Sequence, residues 1–311
     1  MWLGVLWALF VAICAATAST VDKVDKNVRR IVAVGDFHGD LPQVRKVLRM
    51  AGLVDKNLQW TGGPNTDFVQ TGDVVDRGPD TIQLYQLLGR LYNESLTSHH
   101  GVYPLLGNHE IMNLSGDLRY VTSEDTASFG GASAREHAWS ARGWIGAQLR
   151  ERNSNVTLDL AGNVFVHGGI TAEWAQHGVE GLNALVRDAM HGAQWRNAVF
   201  SGEGPFWYRG YAMESERTVC GELRRALKML KAKRMIIGHT PQYETGRILS
   251  RCNGSVYVID VGISSAYGAN CAALEIMGDT VTALYCVQGK PDVARRVDMT
   301  PKRGFSDDSE L

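Results

Sequence analysis

A chain of 311 residues with 44% hydrophobic side chains is long enough to bury a sizeable core, as one large domain or two modest ones. Its formal charge of −1 excludes a basic field that would draw nucleic acid or an anionic membrane surface. An anionic substrate would therefore be held by local charge, from metal ions or a few arginines.

The first twenty residues carry no charged side chain. The apolar run from Trp2 to Ala16 is too short for a comfortable membrane span, and Ala16-Thr17-Ala18 has the small-x-small form of a cleavage site. Residues 1–18 read as a secretory signal peptide, with an uncleaved membrane anchor as the alternative because no Lys or Arg precedes the run. The expected destination is the secretory pathway, either the endoplasmic reticulum lumen or the exterior, with no membrane association after cleavage. Cys14 would leave with the signal. Cys220, Cys252, Cys271 and Cys286 could then pair in three ways or remain as buried thiols. Sequons at Asn93, Asn113, Asn155 and Asn253 fit a lumenal glycoprotein.

Ile31-Val-Ala-Val, closed by Gly35, reads as a buried strand, and residues 41–50 carry apolar side chains at helical spacing. The strand-then-glycine pattern recurs at 67–71 and 101–106, with a helix expected over 80–92 between them. Residues 115–143 are rich in small and polar types, and 137–150 read as one amphipathic helix. A strand at 163–166 ends at His167, a helix is expected over 218–231, and a strand at 234–237 ends at Gly238. Two or three more strands follow, at 256–261, 272–277 and 281–287. The expected domain spans 31–290, and 291–311 reads as a polar, frayed tail. Its last residues, Asp308-Ser309-Glu310-Leu311, are a distant relative of a retention signal and read as an ordinary acidic terminus. Strands whose C-terminal ends open into polar loops suit a sheet that builds a site along one edge.

Five of those strand ends share one design, a glycine beside residues that bind metals. They are Gly-Asp-Phe-His-Gly at 35–39, Gly-Asp-Val-Val-Asp-Arg-Gly at 72–78, Gly-Asn-His-Glu at 107–110, His-Gly-Gly at 167–169 and Gly-His-Thr at 238–240. A pair of divalent cations needs oxygen and imidazole ligands with one carboxylate shared between them. Asp36 and His38, two apart on an extended segment, would project on one face and hold the first ion. Asp73 is the expected bridge, and Asn108, His167 and His239 complete the second ion. The set contains no cysteine, which favours manganese, iron or zinc in a catalytic site over a structural zinc. Such a pair would supply a hydroxide for in-line attack on phosphorus. His109 is the candidate general acid, Asp76 its orienting partner, and Arg77 a planar clamp for two phosphate oxygens.

These motifs resemble the phosphoprotein phosphatase family within the calcineurin-like metallophosphoesterases, from about residue 31 to 287. The resemblance implies an α+β fold in four layers, a central β-sandwich flanked by helices, and the metal, acid and clamp roles given above. Residues 107–121, 205–211 and 259–265 are similar to the Shewanella-like phosphatase subgroup. That resemblance makes Arg209 a second phosphate-binding arginine, where a bland reading is a surface salt bridge, and places Asn108 beside the substrate. Tyr208 and Tyr211 would either line the pocket or belong to the core. Asn113, inside the extension after Gly-Asn-His-Glu, reads as structural despite its sequon. The chain lacks the Ser-Ala-Pro-Asn-Tyr segment where the animal Ser/Thr enzymes meet their toxins, which implies insensitivity to those toxins. The expected substrate is a phosphorylated protein or peptide, as phosphotyrosine or phosphoserine/threonine. A small phosphate ester or dinucleoside polyphosphate, and an inactive lumenal binding protein, are the alternatives.

Overall fold

The computed structural model describes residues 28–151 and 155–301. The expected signal peptide, Cys14 and the acidic terminus lie outside the described residues.

The first three apolar runs become parallel neighbours. Strands β1 (Arg30–Val34), β2 (Thr66–Gln70) and β3 (Gly101–Pro104) alternate with helices α1 (Leu41–Met50) and α2 (Thr81–Ser95). Val32 pairs with Phe68, and Phe68 with Val102. β1 and β2 are covered on both faces, so residues 31–34 run as a continuous apolar stretch instead of alternating, while β2 buries Asp67 and Gln70 along with Phe68 and Val69. Asp40 caps α1 by accepting from the Gln43 N–H, and Val44, Val47 and Leu48 face the core.

A helical stretch follows: α3 (Asn108–Ser115), α4 (Ser123–Ser128), α5 (Ala132–Trp139) and α6 (Trp144–Glu151). Then come β4 (Thr157–Leu160), β5 (Asn163–Val166), α7 (Ala172–Ala175), α8 (Gly178–His191), α9 (Gly210–Met213) and α10 (Glu216–Leu230). The chain continues through β6 (Arg234–Ile237), β7 (Leu249–Arg251), β8 (Val256–Val258), β9 (Ala272–Met277), β10 (Thr280–Val287) and β11 (Lys290–Asp298). One sheet has the order β11-β10-β9-β1-β2-β3 and the other β4-β5-β6-β8-β7. Both are mixed, and side chains from both join a single apolar core, the α+β architecture expected from the sequence. Among the described residues no helix is long and apolar enough to cross a membrane.

Three local expectations fail for physical reasons. The helix expected over 137–150 breaks into α5 and α6. Ser140 turns extended, its Oγ accepts from the Gly143 N–H, and a Cβ at Gly143 would lie 2.0 Å from the His137 carbonyl oxygen. The segment after 290 is no frayed tail through 298: β11 pairs antiparallel with β10 and closes the sheet edge with mostly exposed, charged residues. The strand expected over 256–261 ends at Val258, and the residues beyond it become a loop that carries Asp260.

The cysteines take one of their three pairings. Cys220–Cys252 ties α10 to the turn after β7, and Cys271–Cys286 links β10 to the residue before β9.

Candidate active site

The five glycine-flanked segments meet at the C-terminal ends of the strands. Their backbones are unusual: His38, Asp73, Asp76, Arg77 and His239 have φ of 45°, 56°, 71°, 68° and 65°. Left-handed backbone is costly for residues with a Cβ, and such positions persist only where surroundings enforce them. Two enforcing devices are visible. A Cβ on Gly39 would sit 2.4 Å from the Gly78 carbonyl oxygen, so the first two loops touch backbone to backbone. The buried Glu110 carboxylate accepts from the N–H groups of Asp73 (2.8 Å), Val74 (2.9 Å) and Gly107 (2.7 Å), holding the second and third loops as one piece. Asp36 and His38 do meet, but through a turn at His38 and not along an extended segment.

Asp73 is central. Its Oδ2 lies 3.3 Å from His167 Nε2 and 3.8 Å from both His38 Nε2 and His109 Nε2. His38 Nε2 is 3.9 Å from Asp36 Oδ2, and His167 Nε2 is 2.8 Å from Asn108 Oδ1. The His239 ring lies 4.9 Å from that of His167, and its backbone N–H donates to Asp36. All six residues expected as metal ligands therefore converge, and Asp73 shares one grouping with His38 and His109 and another with His167 and His239. The rings are aimed by their far nitrogens. His38 Nδ1 donates to the Val75 carbonyl (3.2 Å), and His167 Nδ1 to that of Thr71 (2.8 Å). That orientation turns each Nε2 toward the carboxylates. His239 uses Nε2 on the Trp207 carbonyl (3.2 Å) and so offers Nδ1.

The charge balance fits divalent cations. Asp36, Asp73, Glu110 and Asp260 are all buried, and among the described residues no Lys or Arg forms an ion pair with any of them. Burial and the neighbouring Asp260 and Asp73 push Asp36 well above the carboxylate range. Asp260, which shares a hydrogen bond with Asp36, is raised to about 6, chiefly by burial. Burial would also raise Asp73, but the His167, His109 and His38 rings hold it well below the usual range. Burial lowers His38 to about 4 and His239 well below its ordinary value, which keeps both imidazoles neutral as a metal requires. Neutral imidazole beside surplus carboxylate, without cysteine, is the donor chemistry of manganese, iron or catalytic zinc.

His109 is distinct. Burial would lower it, but Asp73 and then Asp76 outweigh that and raise it. Its Nδ1 is 2.6 Å from Asp76 Oδ2. The Arg77 guanidinium lies 3.9 Å from the Tyr120 ring and 5.6 Å from that of Tyr267, and its buried Nε has no partner. Among the described residues Arg209 makes no salt bridge: its Nη1 donates to the His239 carbonyl (2.7 Å) and to Thr240 Oγ1 (3.3 Å). Tyr208 and Tyr211 are core residues, with the Tyr211 hydroxyl donating to the Ile170 carbonyl.

Residues 29–243 match the family described as calcineurin-like phosphoesterase. The chain belongs to that family. A phosphoesterase relative from Arabidopsis thaliana, named Shewanella-like protein phosphatase 2, is 32% identical over 76% of this chain and 71% of its own length. An uncharacterised protein of Schizosaccharomyces pombe is 39% identical over 79% of this chain and 76% of its own. Among solved structures, the cold-active protein-tyrosine phosphatase of a psychrophilic Shewanella superposes with a TM-score of 0.75 at 26% identity, covering 88% of this chain and 80% of that one. This phosphoesterase is a metal-dependent phosphatase.

Several residues of the site carried no assignment from sequence. Glu110, Tyr120 and Asp260 lie inside stretches already singled out, so proximity to the motifs was their signal. Tyr267 falls just after such a stretch. Arg135 and Asp125, in the small and polar region, had no signal.

Proposed function

We propose that this phosphatase hydrolyses phosphomonoesters on proteins, with phosphotyrosine its preferred group. The observation that carries this reading is that His109, beside Asp73, and the Arg77 guanidinium both pack against Tyr120, while Arg77 and His38 both approach Tyr267. Asp36, His38, Asp73, Asn108, His167 and His239 would hold two divalent ions, manganese being the expected pair. When bound, the ions supply an acidified water as nucleophile and positive charge against the phosphoryl oxygens. Asn108 shows only a weak contact from its Nδ2, to Met112 Sδ at 3.9 Å, so the amide can donate to a phosphoryl oxygen. Arg77 is stacked on Tyr120 with Nε unspent, which suits a planar fork for two oxygens. Arg209, anchored at the His239 loop, would add a second guanidinium for the phosphate. His109, tethered through Nδ1, presents Nε2 to protonate the leaving oxygen. The aromatic walls favour an aryl ester, and the tyrosine phosphatase named among the structural neighbours supports that preference.

Turnover on phosphotyrosyl, phosphoseryl and phosphothreonyl peptides beside diadenosine tetraphosphate, with metal content recorded in parallel, tests this. The phosphotyrosyl peptide should give the highest kcat/KM. A higher value for the dinucleotide would overturn the substrate class.

We also infer passage through an oxidising compartment. The two disulfides support it, as do the exposed sequon residues Asn93 and Asn253. Asn113 is buried and bonded to Asp76, so it takes no glycan.

A further inference from the structure

Behind the Asp76–His109 pair the structure continues a chain of buried polar groups. Asp76 Oδ2 meets His109 Nδ1, while Asp76 Oδ1 accepts from Asn113 Nδ2 at 3.0 Å. The same Nδ2 donates to the His109 carbonyl (2.9 Å), so Asn113 grips both members of the pair. Asn113 Oδ1 in turn accepts from Arg135 Nη2 at 2.7 Å, and Arg135 Nε donates to Asp125 Oδ2 at 2.8 Å. Asp76 and Asp125 are fully buried, Arg135 is 2% exposed and Asn113 5%. The guanidinium lies 5.5 Å from the Phe129 ring and 5.4 Å from that of Trp139.

Donor chemistry gives this chain a direction. A guanidinium only donates, so the Asn113 face toward Arg135 must be its carbonyl. The amide NH2 is then forced toward Asp76, which has no choice but to accept from it. With one oxygen engaged by Asn113, Asp76 turns its other oxygen to His109 Nδ1, and the ring's Nε2 faces the reaction centre near Asp73. Were the Asn113 amide free to flip, its oxygen would oppose the Asp76 carboxylate and loosen the pair. Arg135 removes that freedom, and its charge, 3.9 Å from Asp76, offsets part of the burial of that carboxylate.

We propose that Arg135 and Asn113 are positioning residues for the phosphatase reaction, holding His109 through Asp76 so that Nε2 points at the leaving oxygen. This rests on the reading of His109 as the general acid. α4 and α5, which contribute nothing to the metal ligands, thereby become part of the machinery: they supply Asp125 and Arg135.

The test separates positioning from mere structure by the leaving group. Phenyl phosphate needs its phenolate oxygen protonated, whereas 2,4-dinitrophenyl phosphate departs without help. Asn113→Ala and Arg135→Met, measured as full-length manganese-loaded protein, should lower kcat on phenyl phosphate by about 10- to 100-fold and leave kcat on the dinitrophenyl ester within about threefold. Bound manganese should be unchanged. In metal-free protein, the downfield proton resonance expected of His109 Nδ1 against Asp76 should be present in the parent and weakened or lost in both variants. Equal losses on the two esters, or no loss on either, would overturn the proposal. His109→Ala is the control: if it shows no leaving-group dependence, the acid assignment itself fails, a result distinct from failure of the two positioning variants alone. Arg135→Met leaves Asp125 unpaired and could prevent folding; Asn113→Ala keeps the Arg135–Asp125 pair and then decides the matter.

Discussion

The two sheets meet at one site but bring different things to it. From the ends of β1, β2 and β3 come Asp36, His38, Asp73, Asp76, Arg77, Asn108 and His109; from those of β5, β6 and β8 come His167, His239 and Asp260. The first group is built on strained loops, with left-handed backbone at His38, Asp73, Asp76 and Arg77, clamped by Glu110. The second has left-handed backbone only at His239, and its imidazoles sit directly past short parallel strands. The contrast shows a division of labour. On the reading proposed above, the first sheet would carry the acid, the clamp and the shared carboxylate, while the second would close the ligand set with two imidazoles and place one further carboxylate, Asp260, beside Asp36.

The largest effect should come from the residue that joins the halves. Asp73→Asn removes the carboxylate facing His38, His109 and His167, and should lower turnover by on the order of a thousandfold or more while releasing metal. Aryl phosphate hydrolysis with elemental analysis checks it, and near-parent turnover would break the comparison. His109→Ala, confined to the first half, should cost about 10²–10⁴ in kcat yet retain metal. Arg209→Ala probes the second half, where its guanidinium rests on the His239 loop. It should raise KM roughly tenfold with a smaller change in kcat, the pattern of lost ground-state binding.

The smallest effect lies away from the site. Burial alone would raise Glu275 on β9, but Arg296 and Arg30 hold it below the ordinary carboxylate range. A depressed carboxylate stabilises fully above its unfolded pKa, and that contribution fades as pH falls through the folded value. Glu275→Gln should therefore cost on the order of 1 to 2 kcal/mol near neutrality, with the gap to the parent closing in acid. Denaturant midpoints across that range would show it, and a gap that widens in acid would contradict the sign.

Much of this was legible in the sequence because metal chemistry restricts residue types. Gly-Asp-x-His, Gly-Asp-x-x-Asp-Arg and Gly-Asn-His-Glu at successive strand ends admit few other readings, and the strands feeding them are buried on both faces. What escaped lacks such restriction. β11 is exposed along most of its length, so no apolar pattern marks it, and its pairing is set by β10. α8 does place Leu182, Val186, Ala189 and Met190 at helical spacing, yet no motif drew attention to it. Arg135 lies in a stretch of small and polar residues whose sequence gives no sign that it is buried. Its burial depends on Asp125, Asn113 and two aromatic rings that only the folded chain assembles around it.

Metal stoichiometry is the most direct test of the claim that both sheets serve one dinuclear centre. Purified parent protein, His109→Ala and Asp73→Asn would be dialysed against manganese and assayed for bound metal per chain. The account predicts about two ions for the parent and for His109→Ala, and a clear deficit for Asp73→Asn. Full occupancy in Asp73→Asn, or a parent that binds no manganese, iron or zinc, would contradict it.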